Sequence, residues 1–370
     1  MNDPRLVTMA QIMVRYSTEV KKGDRVIIRG FPLEANATPL IQEIVREVLR
    51  AGGYPHIVID APGVTEILLN EASDEQLQYV DPFHKMMIET FDVDIRLSSA
   101  TNTKGMMNVN LESLGKRQKA YAELSDIWMQ RSASDELRWV VARYPTNAYA
   151  QDADMSLAEY EKFLFSTTYA DRDDPIAAYE EIRDAQEKLV KWLEGKDRVQ
   201  LKGPNVDLEL SVKGRVFINC CGHRNIPDGE IFTGPVEDSI NGWVRFSYPT
   251  AHRGIEVAGV EFHFEDGEIT KFQASKGEEV LTAMFNGDPA TKYVGELGIG
   301  TNREITQLTK DMLFDEKTWG TIHLAIGAGY PETGSKNKSP VHWDMLCEMR
   351  DGGQIIVDGE LFYEGGEFRI

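Results

Sequence analysis

Residues 23–62, GDRVIIRGFPLEANATPLIQEIVREVLRAGGYPHIVIDAP, decide the fold class. GDRVIIRG carries an unbroken apolar run, Val26-Ile27-Ile28, as a strand does when its sheet is covered on both faces. PLIQEIVREVLRAGG, residues 39–53, spaces its apolar residues at helical intervals and closes on Gly52-Gly53, a helix C-cap signal. YPHIVIDAP supplies a second strand. Strand, helix and strand at this spacing form a βαβ unit, which implies a parallel sheet. Upstream, residues 4–21 read as an amphipathic helix. Downstream, VDIRLSSA (93–100) and ELRWVVARYP (136–145) add strands. No GxGxxG follows the first strand, so no dinucleotide site is assigned. His56 and His84 in this half read as structural or surface groups.

Residues 156–195 are dominated by helix, and beyond Asp197 the pattern changes to short strands separated by Gly, Asn and Asp turns. The strands are RVQLKG, VDLELSV, GRVFINC, WVRFSYP and GIEVAGVEFHFEDGEIT, with EDGE (265–268) and RDGG (350–353) as hairpin-turn signals. The expected architecture is α/β: an N-terminal α/β domain with a parallel sheet, residues 1–196, plus a C-terminal, mainly antiparallel α+β domain, residues 197–370.

A chain of 370 residues with a formal net charge of -20 disfavours phosphate backbones and anionic membranes as partners, so no nucleic acid and no membrane are expected. Three cysteines, Cys220, Cys221 and Cys347, make neither a disulfide framework nor a CxxC metal site. The N-terminal stretch has no signal-peptide pattern and no apolar run reaches membrane-spanning length, so the expected location is cytoplasmic.

Chemistry concentrates at residues 321–345, TIHLAIGAGYPETGSKNKSPVHWDM. Strand-like flanks enclose a loop rich in Gly, Pro, Ser and Asn. Strand alternation puts His342 and Asp344 on one face and Trp343 on the other. With His323, these are imidazole and carboxylate donors of the kind divalent transition metals choose, zinc above all, and they could grip one metal or two adjacent ones. Two further acids stand in the same domain. Glu230 lies in NIPDGEIFTGP, and Glu296 lies in the glycine-lined, apolar KYVGELGIGTN, where a carboxylate is costly to bury unless paired or metal-bound. Glu230, Glu296, His323, His342 and Asp344 are too many for one tetrahedral zinc. They suit two metals about 3.5–4 Å apart that share a carboxylate. Tyr330, in a glycine loop seven residues after His323, could bring a hydroxyl over the metals as an oxyanion donor. HExxH, GxSxG and Walker A patterns are absent.

In this order NIPDGEIFTGP, VGELGIG, HLAIGAGY and SPVHWDM resemble the metallo-aminopeptidase family of aminopeptidases T and S, the thermophilic-type leucyl aminopeptidases. The opening YSTEVKKGDRVIIRG…PLIQEIVREVLRAGGYP resembles that family too. The resemblance implies an N-terminal α/β domain, a C-terminal two-metal domain, and a homodimer. It implies zinc or cobalt, with manganese possible, held by Glu230, Glu296, His323, His342 and Asp344, and a catalytic Tyr330. It adds Glu316, in FDEKTWGTIH, as a further ligand or proton-transfer residue. The spacing from Glu316 to His323 is longer here than in the family. The implied function is hydrolysis of N-terminal residues from short peptides through a dinuclear centre and bridging hydroxide, with Glu296 and Glu316 as candidates for the bridging and proton-shuttling roles. The alternatives are a mononuclear Fe(II) ring-cleaving dioxygenase-like relative using His323, His342 and Asp344, and a non-catalytic metal-binding homologue.

Overall fold

The computed structural model describes residues 3–252 and 255–370. They divide into two compact units, residues 1–178 with 222–227 and residues 179–221 with 228–370.

The first unit is built on a parallel sheet containing β1 (Arg25–Arg29), β2 (Tyr54–Ile57), β3 (Val93–Ser98) and β4 (Arg138–Arg143), in the order β2-β1-β3-β4. The apolar run of β1 is buried throughout: Val26, Ile27 and Ile28 are at most 2% exposed. Helix Thr38–Ala51 links β1 to β2 and turns Leu40, Ile41, Ile44 and Val48 inward. It ends at Gly52, whose φ of 84° is a left-handed conformation that costs glycine little. The N-terminal helix runs over Pro4–Gln11 and continues as a π-helical turn, Ile12–Ser17, stopping short of the expected residue 21. A fifth strand, Asn225–Ile226, pairs parallel to β4. Two residues give no periodicity to read, so this return of the chain to the first sheet had no signature in sequence.

The second unit contains two antiparallel sheets and a two-stranded ribbon. The larger sheet has eight strands, with Arg198–Gly203 between Val206–Ser211 and Gln354–Val357. Glu261–Glu265 and Glu268–Gln273 form the expected EDGE hairpin, with Asp266 and Gly267 both at positive φ (47° and 83°), as a type I′ turn requires. RDGG behaves differently. It leads out of one sheet into the other, and the hairpin beside it instead turns at Asp358-Gly359, again at positive φ. In the ribbon, the expected strand start at Gly254 lies outside the described residues, and the strand is described over Ile255–Val257. The smaller sheet has five strands: β5 (Ile218–Cys220), β6 (Glu230–Thr233), β7 (Val294–Gly300), β8 (Thr321–Gly327) and β9 (His342–Glu348), in the order β9-β8-β7-β6-β5. One of its faces packs into the apolar core through Ile231, Leu297, Ile299, Ile322, Leu324 and Trp343. Its other face carries the polar residues described next.

Candidate metal centre

Alternation along β6 to β9 sorts the residues. Odd positions of β7 and even positions of β8 enter the core, which leaves Glu296 and His323 on the opposite face. In β9, Trp343 is buried in the core and donates to Thr250 Oγ1 at 2.9 Å, while His342 and Asp344 share the other face. Strict alternation alone would put Val294 and Glu296 on one side. Between them the β7–β8 register shifts by one residue, a β-bulge at Gly295. Val294 thereby stays in the core while Glu296 turns to the polar face.

Glycines make the space. Gly298 lies opposite His323 in register, and a Cβ on it would come within 2.0 Å of His323 Nε2. The imidazole therefore lies where any other side chain would stand. Gly300 pairs with Glu230, and a Cβ there would meet the Thr318 carbonyl at 2.1 Å, so glycine lets the Lys317–Thr318 backbone approach β7.

Potential ligand atoms gather in overlapping groups, each within 4.8 Å. Glu230, Glu296 and His323 form one, and Glu296, His342 and Asp344 form another. Glu296 is common to both. Its Oε1 lies 3.1 Å from His323 Nε2 and its Oε2 lies 3.6 Å from His342 Nε2, so its two oxygens face different histidines. Glu230 Oε2 is 3.5 Å from His323 Nε2, and Asp344 Oδ2 is 3.4 Å from His342 Nε2. His342 is oriented by donating from Nδ1 to the Ala328 carbonyl at 2.8 Å, which leaves Nε2 toward the acids. Cys220, Asp228 and Glu230 make a third group, but its thiol is driven up in pKa by burial and by Asp228 and Glu230.

Buried and without hydrogen-bond partners are Glu230 Oε2, Glu296 Oε2, His323 Nδ1 and Asp344 Oδ1. Four such atoms in one cluster are an unmet demand, because buried polar atoms are otherwise nearly always satisfied. The charges show the same imbalance. Burial alone would lower the His323 pKa, but the hydrogen bond with Glu296 and the charges of Glu230 and Asp344 raise it to about 9. Burial opposes protonation of His342 as well, and Asp344 and Glu296 override it and raise it to about 10. Burial pushes Glu296 up, with Asp344 adding to the effect. An imidazole and carboxylate set that is crowded, buried at every member but His342, and partly unpartnered fits divalent cations, which satisfy the lone pairs and displace the imidazole protons.

Tyr330 reaches the cluster from the loop after β8. Its ring packs 5.2 Å from His342 and 5.4 Å from Phe232, centroid to centroid, with 44% of the residue exposed. Burial of its hydroxyl end and the charges of Glu296 and Asp344 hold the phenol well above its ordinary pKa. Glu316 stands apart from the ligand groups. Its carboxylate is bonded to Lys317, and burial raises its pKa, with Lys317 opposing and Glu230 and Asp344 reinforcing. Lys317 had no signal in sequence, since a single lysine between Glu316 and Thr318 reads as surface. It is 0% exposed, with Nζ 3.3 Å from Glu230 Oε1. His223, His252 and His263 stay out of these groups. They pack against Tyr16, Trp343 and Glu261 respectively.

The model of the thermophilic metalloprotease (M29) family, Peptidase_M29, matches residues 2–368. The chain belongs to this family. The M29 peptidase is similar to Aminopeptidase 2 of Geobacillus stearothermophilus, at 28% identity over 95% of this chain and 92% of that protein. It is similar also to Aminopeptidase T of Thermus thermophilus, at 27% identity over 98% and 95%. Among solved structures, wild-type AmpT from Thermus thermophilus superposes with a TM-score of 0.86 at 22% identity, covering 99% of each chain. A 2,5-dihydroxypyridine dioxygenase from Pseudomonas putida KT2440 gives 0.60 at 13% identity, covering 98% of this chain and 96% of that one. These two share its mixed fold of parallel sheet, helices and antiparallel sheets.

Proposed function

We propose that this metallo-aminopeptidase removes N-terminal residues from short peptides with two divalent cations, zinc or cobalt, with manganese as a substitute. The observation that carries the reading is Glu296, whose two oxygens face two histidines in two ligand groups. Glu230 and His323 would hold one cation, His342 and Asp344 the other, and Glu296 would bridge. Bound cations would polarise the scissile carbonyl and bring the pKa of water toward neutrality. Tyr330, a phenol protonated at neutral pH, donates a hydrogen bond to the oxyanion that develops as the carbonyl is attacked. Glu316, held beside the cluster by Lys317 and with a raised pKa, carries the proton to the leaving amine. His323 and Asp344 fall in separate ligand groups, which weighs against a single iron held by His323, His342 and Asp344.

The family resemblance supports a homodimer, and three cysteines that stay free rather than form disulfides accord with a cytoplasmic location. No helix of the described residues is long and apolar enough to cross a membrane. Chelation should abolish hydrolysis of aminoacyl reporter substrates, and zinc, cobalt or manganese should restore it. Full activity in rigorously metal-free protein would sink the reading.

A further inference from the structure

Lysine is among the side chains least often buried, because an unpaired ammonium in a low-dielectric interior is very costly. Lys317 is nevertheless 0% exposed. Its ammonium lies 3.3 Å from Glu230 Oε1 and is bonded to Glu316. The other oxygen of Glu230, Oε2, has no hydrogen-bond partner and faces His323 Nε2 at 3.5 Å. One carboxylate is thus divided: one oxygen goes to the ammonium and the other to the ligand cluster. Glu316 is close enough to sense the charges of Glu230, Asp344 and His323, yet it enters no ligand group among the described residues. Its carboxylate is held by the ammonium.

We infer that Lys317 is a positioning residue that limits the ligand set, occupying Glu230 Oε1 and the Glu316 carboxylate so that the cations are left with Glu230 Oε2, Glu296, His323, His342 and Asp344. The inference rests on the two-cation reading above. Two effects of the ammonium share one sign. It withholds carboxylate oxygens, and it repels a dication held in the same cluster, so it loosens cation binding. In exchange, Glu316 remains outside the coordination sphere, where it can hold and release a proton.

Metal-free wild type, Lys317→Met, Lys317→Arg and Glu316→Gln are titrated with Co²⁺, with stoichiometry, affinity and the d–d spectrum as readouts. Lys317→Met should bind Co²⁺ about tenfold or more tightly than wild type, because repulsion is removed and carboxylate oxygens are added. Its d–d absorption should weaken as the coordination number rises, and kcat should fall. Lys317→Arg keeps the charge and should retain wild-type affinity and spectrum. Glu316→Gln should keep both cations, with any loss of affinity held to the roughly 10- to 100-fold that removing a group behind the ligands costs. Equal or weaker binding by Lys317→Met with an unchanged spectrum overturns the inference. So does loss of a cation in Glu316→Gln, which decides the matter even if Lys317→Met does not fold. A wild-type stoichiometry other than two would sink the two-cation reading, whereas the variants' affinities relative to wild type judge Lys317 by itself.

Discussion

Asp94 and Asp344 are both buried aspartates in β-strands, and their surroundings are opposite. Asp94 in β3 is 1% exposed and fully answered from within the chain. Arg29 donates to both of its oxygens, at 3.0 and 2.7 Å, and Arg96 at 2.9 Å. The Trp128 indole adds a donor at 3.3 Å. Asp344 in β9 is 8% exposed, with Oδ1 unpartnered and Oδ2 3.4 Å from one histidine. An acid surrounded by guanidinium groups completes a fold. An acid beside other acids, with one oxygen left over, awaits a cation.

Neutralising each aspartate in turn should separate the two roles. Asp344→Asn replaces a charged ligand with an amide, and the cation on the His342 side should be lost. Several kcal/mol of charge stabilisation go with it, or at least about 10³-fold in kcat. Metal analysis beside kinetics checks this, and retention of full metal content and kcat would contradict it. Asp94→Asn should do the reverse, leaving metal content unchanged but destabilising the first unit by about 3 kcal/mol, because two half-buried guanidinium groups lose their charged partner. Burial alone would raise the Asp94 pKa, but Arg96 and Arg29 outweigh it and hold it below the ordinary carboxylate value. The stability it contributes is therefore complete above the unfolded pKa, near 3.9, and is lost as pH falls through the lower folded value. Asp94→Asn should flatten that acid limb of the Tm profile, as scanning calorimetry below about pH 4 would reveal.

Tyr330→Phe removes one hydroxyl and keeps the ring against Phe232 and His342. Both cations should stay, and kcat should fall about 10²- to 10³-fold with little change in KM. Near-wild-type kcat would reduce the tyrosine to a packing residue. Gly298→Ala sets its new methyl where the His323 imidazole lies, 2.0 Å from Nε2, so the ligand itself must shift. Overpacking of this kind costs about 1–3 kcal/mol, and here it should appear as weaker cation binding more than as a lower Tm. Calorimetric titration with zinc and a melting curve together separate the two.

Much of the polar face was legible from sequence because β-strands repeat every two residues. Alternation in VHWDML is enough to put His342 and Asp344 together and Trp343 opposite. The position of Glu296 was less open to this logic, because the bulge at Gly295 breaks the period and an unbroken strand would group it with Val294. The helix and strands of GDRVIIRG through YPHIVIDAP follow from local pattern, whereas the return of Asn225–Ile226 to the first sheet is a long-range pairing of two residues. Lys317 was invisible for another reason. Its burial depends on Gly300 admitting its backbone to β7, and on Glu230 and Glu316 converging from different parts of the chain. No local property of a lysine reports such a meeting.

On the proposed two-cation reading, Glu296 joins both positions. Anomalous diffraction from zinc-loaded crystals decides whether it does. Two peaks per chain are expected, one beside Glu230 and His323, the other beside His342 and Asp344, with Glu296 touching both. A single peak held by His323, His342 and Asp344, with Glu230 and Glu296 free of metal, would contradict it.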